Sequence, residues 1–73
     1  MHNQNKKDTA VLGNVTEALP NAFFKVSRDD TKEEILTYLS GKMRLHRIRV
    51  LIGDKVLVEI DPYGGKGRII KRL

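Results

Sequence analysis

The sequence predicts a small all-β barrel of five strands, and three observations carry that reading. From Ala10 onward, short apolar runs are separated by clusters of turn-forming residues, the pattern of small barrels and sandwiches. Two runs alternate with period two, Ala22, Phe24 and Val26 against Phe23, Lys25 and Ser27, and Val56, Val58 and Ile60 against Lys55, Leu57 and Glu59. Period two marks a half-buried strand. The chain has 73 residues, and a domain of that size buries only about 60% of the surface its unfolded chain exposes. It has room for a binding face rather than a deep catalytic cleft.

The elements follow in order. Residues 1–8 are polar and aperiodic and read as a mobile leader, with residues 9–73 forming a single domain. The first strand runs from about Ala10 to Ala18, with Val11 and Val15 flanking Gly13. A glycine inside a strand marks a bulge or a sharp bend of the kind small barrels need to close. Leu19-Pro20-Asn21 is a turn, because proline presets φ and asparagine tolerates left-handed geometry. The second strand, residues 22–27, puts Phe24 toward the core and Phe23 on the other face. Arg28-Asp29-Asp30-Thr31 is a charged hairpin turn. Glu34 to Leu39 is the third strand, and its Ile35-Leu36 and Tyr38-Leu39 pairs leave two inward faces open. Met43 to Arg47 forms a helical turn too short to be stable alone. Asp54 to Ile60 is the fourth strand, Pro62-Tyr63-Gly64-Gly65 turns the chain, and Gly67 to Arg72 closes the sheet.

Five strands with a connection between the third and fourth match the OB-fold barrel, whose strand face and loops bind oligonucleotides. An SH3-like barrel is the alternative that strand counting leaves open. No internal repeat or second domain is visible.

Charge is segregated along the chain. Residues 1–37 carry 5 Lys and Arg against 6 Asp and Glu, while residues 38–73 carry 9 against 3. Four of those cations, Lys42, Arg44, Arg47 and Arg49, crowd into the segment from Ser40 to Arg49, with His46 among them. Such a cluster is the electrostatic footprint of a polyanion partner, most often nucleic acid; a basic face kept for solubility is the plainer alternative. Tyr38 precedes this segment, and Tyr63 precedes Lys66 and Arg68. Aromatic rings interleaved with cations suit RNA, because bases stack on rings while cations neutralise phosphates. Tyr38 serves equally well as a half-buried barrel residue, whereas Tyr63, in a Pro-Gly turn, is placed for contact.

Other chemistries find little to work with. The chain has no cysteine, so disulfides, thiolate catalysis and cysteine zinc sites are excluded. His2 and His46 are the only histidines, too few and too far apart for a histidine metal cluster. No apolar run approaches the about 18 residues of a membrane span, and no apolar signal core follows Met1, so a cytoplasmic location is expected. Gly64-Gly65-Lys66-Gly67-Arg68 lacks the Ser or Thr that must follow the lysine of a nucleotide-binding loop. The pairs Glu33-Glu34 and Asp29-Asp30 lie at a hairpin, and Ser27, Ser40 and His46 have no orienting partner in view. No catalytic residue, metal or cofactor is expected.

Several fragments carry a family resemblance: Gly13 with Thr16-Glu17-Ala18-Leu19-Pro20-Asn21-Ala22 and Phe24-Lys25-Val26; Ser40-Gly41-Lys42-Met43-Arg44; Ile48-Arg49-Val50-Leu51 with Gly53-Asp54-Lys55-Val56; and Pro62-Tyr63 with Lys66-Gly67-Arg68-Ile69. Together, over about residues 11 to 72, they resemble bacterial translation initiation factor 1. The resemblance implies an OB-fold, non-enzymatic rRNA-binding protein that occupies the A site of the small ribosomal subunit, blocks premature tRNA entry and cooperates with initiation factors 2 and 3 as a monomer. It also implies that the loop enters the minor groove of the decoding helix and displaces its adenines. By position it nominates Lys42, Met43, Arg44, His46, Arg47 and Arg49 in the loop, Phe24 and Lys25 on the second strand, and Tyr63, Lys66 and Arg68 in a second patch; Tyr38 joins them as a ring beside the loop. The chain departs from the family pattern in its shorter Gly64-Gly65 turn, in Arg47 where an aromatic residue is common, and in Tyr38 where histidine is common. A cold-shock-like RNA chaperone and a barrel that meets an acidic protein remain the alternative functions.

Overall fold

The computed structural model of the protein describes residues 10–61 and 66–73. The expected leader and Tyr63 lie outside that range. Among the described residues five strands, β1 (Ala10–Ala18), β2 (Phe23–Arg28), β3 (Glu34–Leu39), β4 (Lys55–Ile60) and β5 (Gly67–Arg72), are accompanied by one short helix, α1 (Gly41–Leu45), between β3 and β4. The strands close into a barrel in the order β1-β2-β3-β5-β4, with β4 returning to pair with β1. All neighbours are antiparallel except β3 and β5. This is the five-stranded OB-type barrel expected from the sequence.

Alternation fills the interior. Val15, Val26, Val56, Val58, Ile69, Met43 and Val50 form the buried core, with Val11, Phe24, Ile35, Leu39, Ile48 and Ile60 packed against it. The two faces left open on β3 resolve in favour of Ile35, Thr37 and Leu39 pointing inward and Tyr38 outward. Thr37 is fully buried, and its hydroxyl donates to the Phe24 carbonyl at 2.9 Å, which offsets the cost of placing a polar group in the core.

Two expectations need correction. The bulge in β1 is not at Gly13; the register of β1 against β2 slips between Val15 and Glu17, leaving Thr16 as the extra residue. Gly13 is instead a point of close approach, paired with both Arg28 of β2 and Val56 of β4. A β-carbon there would sit 2.5 Å from Val26 Cγ1 and 2.6 Å from the Ser27 carbonyl oxygen. Ala22 likewise is not an inward strand residue. It is exposed, with φ of 68°, and its amide donates to the Leu19 carbonyl at 3.3 Å. A turn begun by Pro20 needs a left-handed residue just before β2 to match the strand twist, and Ala22 rather than Asn21 occupies that position.

Candidate nucleic-acid interface

The basic loop is a built structure. At its start the Ser40 amide donates to the Ile69 carbonyl at 2.9 Å, continuing the β3–β5 ladder. The Ser40 hydroxyl accepts from the Met43 amide at 3.2 Å and caps α1. Beyond α1 the Arg47 amide donates to the Arg44 carbonyl at 3.1 Å and the Ile48 amide to the Met43 carbonyl at 3.0 Å. That pair of bonds is a Schellman closure, which demands a left-handed residue at the position usually held by glycine. Arg47 takes it with φ of 54°. The helical turn therefore covers Gly41–Leu45, two residues earlier than the expected Met43 to Arg47.

Apolar anchors decide which side chains face water. Met43 is buried in the core at 2% exposure, so α1 can turn only Lys42, Arg44 and Leu45 outward. Past the helix, Val50 is buried and Ile48 packs against the core, which leaves Arg49 outward between them. The chain then closes on itself. The Leu51 amide donates to the Asp54 carboxylate at 2.8 Å, and the amide of Gly53, whose φ is 96°, donates to the Val15 carbonyl at 2.8 Å. The Arg72 guanidinium donates to the Arg49 carbonyl at 3.2 Å, tying β5 to the loop.

The cations divide into two electrostatic classes. Lys25 pairs with Glu17, Arg28 with Asp30 and Glu33, Lys55 with Asp29, and Arg68 with Glu59. Lys42, Arg44, Arg47 and Arg49 take part in none of these pairs among the described residues, and all four are exposed. Acidic side chains thus neutralise four cations of the hairpin and strand faces. Lys32, Lys71 and Arg72 also take part in none of these pairs, but the loop gathers four such cations between Lys42 and Arg49, a concentrated positive field of the kind that draws in a polyanion.

The candidate residues fall into three groups. Lys42, Arg44, His46, Arg47 and Arg49 are brought together on the exposed loop. Tyr38, Lys66, Arg68 and Lys25 lie on the outer surface of the sheet instead. Tyr38 is opposite Phe23 in β2 and opposite Arg68 in β5, and Arg68 is opposite Glu59 in β4. Lys66 Nζ sits 5.5 Å from the Phe23 ring centroid. The hydrogen bond that Arg68 donates to Glu59, together with the charge of that carboxylate, holds the Arg68 guanidinium above its ordinary value. Met43 and Phe24 form the third group, both directed at the core, so Met43 supports the loop from beneath and has no surface to offer a ligand. Sequence reasoning passed over Leu45, 76% exposed at the end of α1, and Glu59, whose pairing with Arg68 depends on register. Among the described residues no group of histidine, cysteine, aspartate and glutamate could hold a metal, and no helix is long and apolar enough to cross a membrane.

The barrel has relatives among known proteins. The family model described as translation initiation factor 1A / IF-1 matches residues 1–73. The solution structure of translation initiation factor 1 from the Wolbachia endosymbiont strain TRS of Brugia malayi is similar, with 46% identity and a TM-score of 0.74, over 100% of this chain and 88% of that one. The crystal structure of YjeQ from Thermotoga maritima also matches, with 33% identity and a TM-score of 0.76 over 88% of this chain. There the chain spans only 22% of the longer protein's length.

Proposed function

Because the chain belongs to the translation initiation factor 1A / IF-1 family, we propose that it binds the A site of the small ribosomal subunit, occludes tRNA there and remodels the decoding helix of rRNA. It acts without catalysis, as a cytoplasmic monomer, alongside initiation factors 2 and 3. The observation that carries this reading is the loop of unpaired cations held out from the barrel by Met43, Ile48 and Val50.

The mechanism follows from that architecture. Lys42, Arg44, Arg47 and Arg49 release counterions as they meet phosphates, which supplies sequence-independent affinity. The Ser40 cap and the Schellman closure fix the loop before contact, so little ordering entropy is lost on binding. The rigid loop then acts as a wedge, with arginine forks meeting base and sugar edges.

Co-sedimentation with purified small subunits tests the proposal. Four phosphate contacts give a slope of log K against log salt of about −3, or roughly sixty-fold weaker binding from 50 to 200 mM salt. Arg44→Lys keeps the charge and loses the fork, so it is expected to weaken binding and to reduce adenine exposure in chemical probing of the decoding helix. Binding to free single-stranded RNA as tight as to subunits would point instead to a general RNA chaperone. Salt-independent binding would point to a protein partner.

A further inference from the structure

The connection from Ser40 to Asp54 presents more than charge. It leaves the β3–β5 side of the barrel, where the Ser40 amide donates to the Ile69 carbonyl, and ends beside β1, where the Gly53 amide donates to the Val15 carbonyl. It therefore crosses one mouth of the barrel. Met43 and Val50 are buried and Ile48 packs against the core, so these three plug the mouth from within. The exposed side chains that remain include Leu45, Leu51 and Ile52, at 76%, 55% and 64% exposure. They are three of the six exposed large hydrophobic residues among the described residues, and the anchoring of phosphates gives them nothing to do. Asp54 is the only acid of the connection, and its carboxylate accepts from the Leu51 amide at 2.8 Å.

Exposed aliphatic side chains set among cations are the composition of a surface that lies on a membrane. We propose that this mouth of the barrel docks reversibly on an anionic lipid bilayer. Leu45, Leu51 and Ile52 enter the boundary between headgroups and acyl chains, while Lys42, Arg44, Arg47 and Arg49 stay at the level of the lipid phosphates. The proposal goes beyond the ribosomal reading and gives the same cations a second ligand. The arrangement of the aliphatics favours a bilayer over a protein partner. A protein interface gathers its apolar side chains into one centre inside a polar rim. Here Leu45 precedes Arg47 and Arg49 in the connection, and Leu51 and Ile52 follow them. A fluid surface accepts such separate insertions, and the long basic stems let the charges remain among the headgroups. Four cations are about the smallest cluster read as binding anionic lipid, and three aliphatics hold far less firmly than an acyl anchor. Neither part suffices alone, so attachment needs both and stays reversible. Cations engaged by lipid are withdrawn from RNA, so a molecule on the membrane is closed to the small subunit.

The test sediments the full chain with vesicles of phosphatidylglycerol and phosphatidylcholine in equal parts, and with vesicles of phosphatidylcholine alone. Binding is expected to the first and not to the second. Leu51→Ser and Ile52→Ser keep every charge and should each weaken binding by about five-fold or more. Both changes lie at exposed positions, so the melting temperature should stay at the wild-type value. The chain has no tryptophan, which makes Ile52→Trp a reporter. Its emission should shift to the blue on anionic vesicles, as an indole does at a membrane interface. Absence of binding to anionic vesicles, or an unshifted Ile52→Trp emission, would overturn the proposal. Binding unmoved by both serine changes would also overturn it, by reducing the effect to the general attraction of a basic protein. Small-subunit co-sedimentation runs in parallel. Its failure refutes the ribosomal reading alone, and failure on vesicles with intact subunit binding refutes the membrane surface alone.

Discussion

Arg47 is asked to do two things at once, and one substitution separates them. It holds the left-handed position of the Schellman closure with φ of 54°, and it is one of the four loop cations outside every ion pair among the described residues. A residue with a β-carbon loses about 1–2 kcal/mol in that conformation, and glycine does not. Glycine in turn makes the unfolded chain more flexible, which costs about 0.5–1 kcal/mol. Arg47→Gly should therefore stabilise the barrel by about 0.5–1 kcal/mol, a rise in Tm of roughly 2 to 8 °C for a domain of this size. Under the proposed binding mode the same change removes one phosphate contact, so the salt slope for subunit binding should fall in magnitude by about 0.7 to 0.9. Thermal melting by circular dichroism and co-sedimentation at several salt concentrations read the two effects. Arg47→Ala is the control, because it loses the charge and keeps the strain; its Tm should stay at the wild-type value. A melting temperature unchanged or lowered by Arg47→Gly would refute the strain argument, and an unchanged slope would remove Arg47 from the interface.

Three further outcomes follow from the packing and the charges. Gly13→Ala places a β-carbon against the Val26 side chain and the Ser27 backbone, where neither neighbour can yield freely, and should destabilise by about 1–3 kcal/mol or more in urea titration. Met43→Ala should lose about 2–5 kcal/mol by opening the core, while Met43→Leu stays within about 1.5 kcal/mol and retains subunit binding; loss of binding by a stable Met43→Leu would make Met43 a contact after all. The hydrogen bond from Arg28 holds the Asp30 carboxyl below its ordinary value of 3.8. A lowered folded-state value contributes stability above the ordinary value and loses it as pH falls through the lowered one. The Tm difference between wild type and Asp30→Asn should accordingly be present at neutral pH and close below pH 3.8, and a pH-independent difference would contradict the pairing.

Strand positions were legible because alternation is a local property. Val56, Val58 and Ile60 declare an inward face without reference to anything else in the chain, and all five strands lie within a residue of where their patterns place them. Pairing is not local. Thr16 is the bulge because of how β1 meets β2, and no property of a threonine between Val15 and Glu17 announces it. Pro20 announced its turn, but the left-handed residue is fixed by strand twist and fell to Ala22. In the loop the cations were readable from composition alone. Met43 was not, since its neighbours Lys42 and Arg44 are both exposed, and only the three-dimensional path of α1 turns it inward. Arg68 looked like one more free cation until the register set Glu59 opposite it.

The strand order has a bearing on how the protein is made. β5 is last of the five in chain order, yet it is seated between β3 and β4, so both must wait for it with an unpaired edge. Until it arrives, Ser40 lacks its partner carbonyl on Ile69 and the Arg49 carbonyl lacks the Arg72 guanidinium. The loop residues are thus translated well before the contacts that hold them in shape. A nascent chain released short of β5 would carry the cations of the loop and two open strand edges prone to pairing with other chains, without the closed barrel beneath them. Synthesis through β5 is in this sense a condition for closing the barrel beneath the loop.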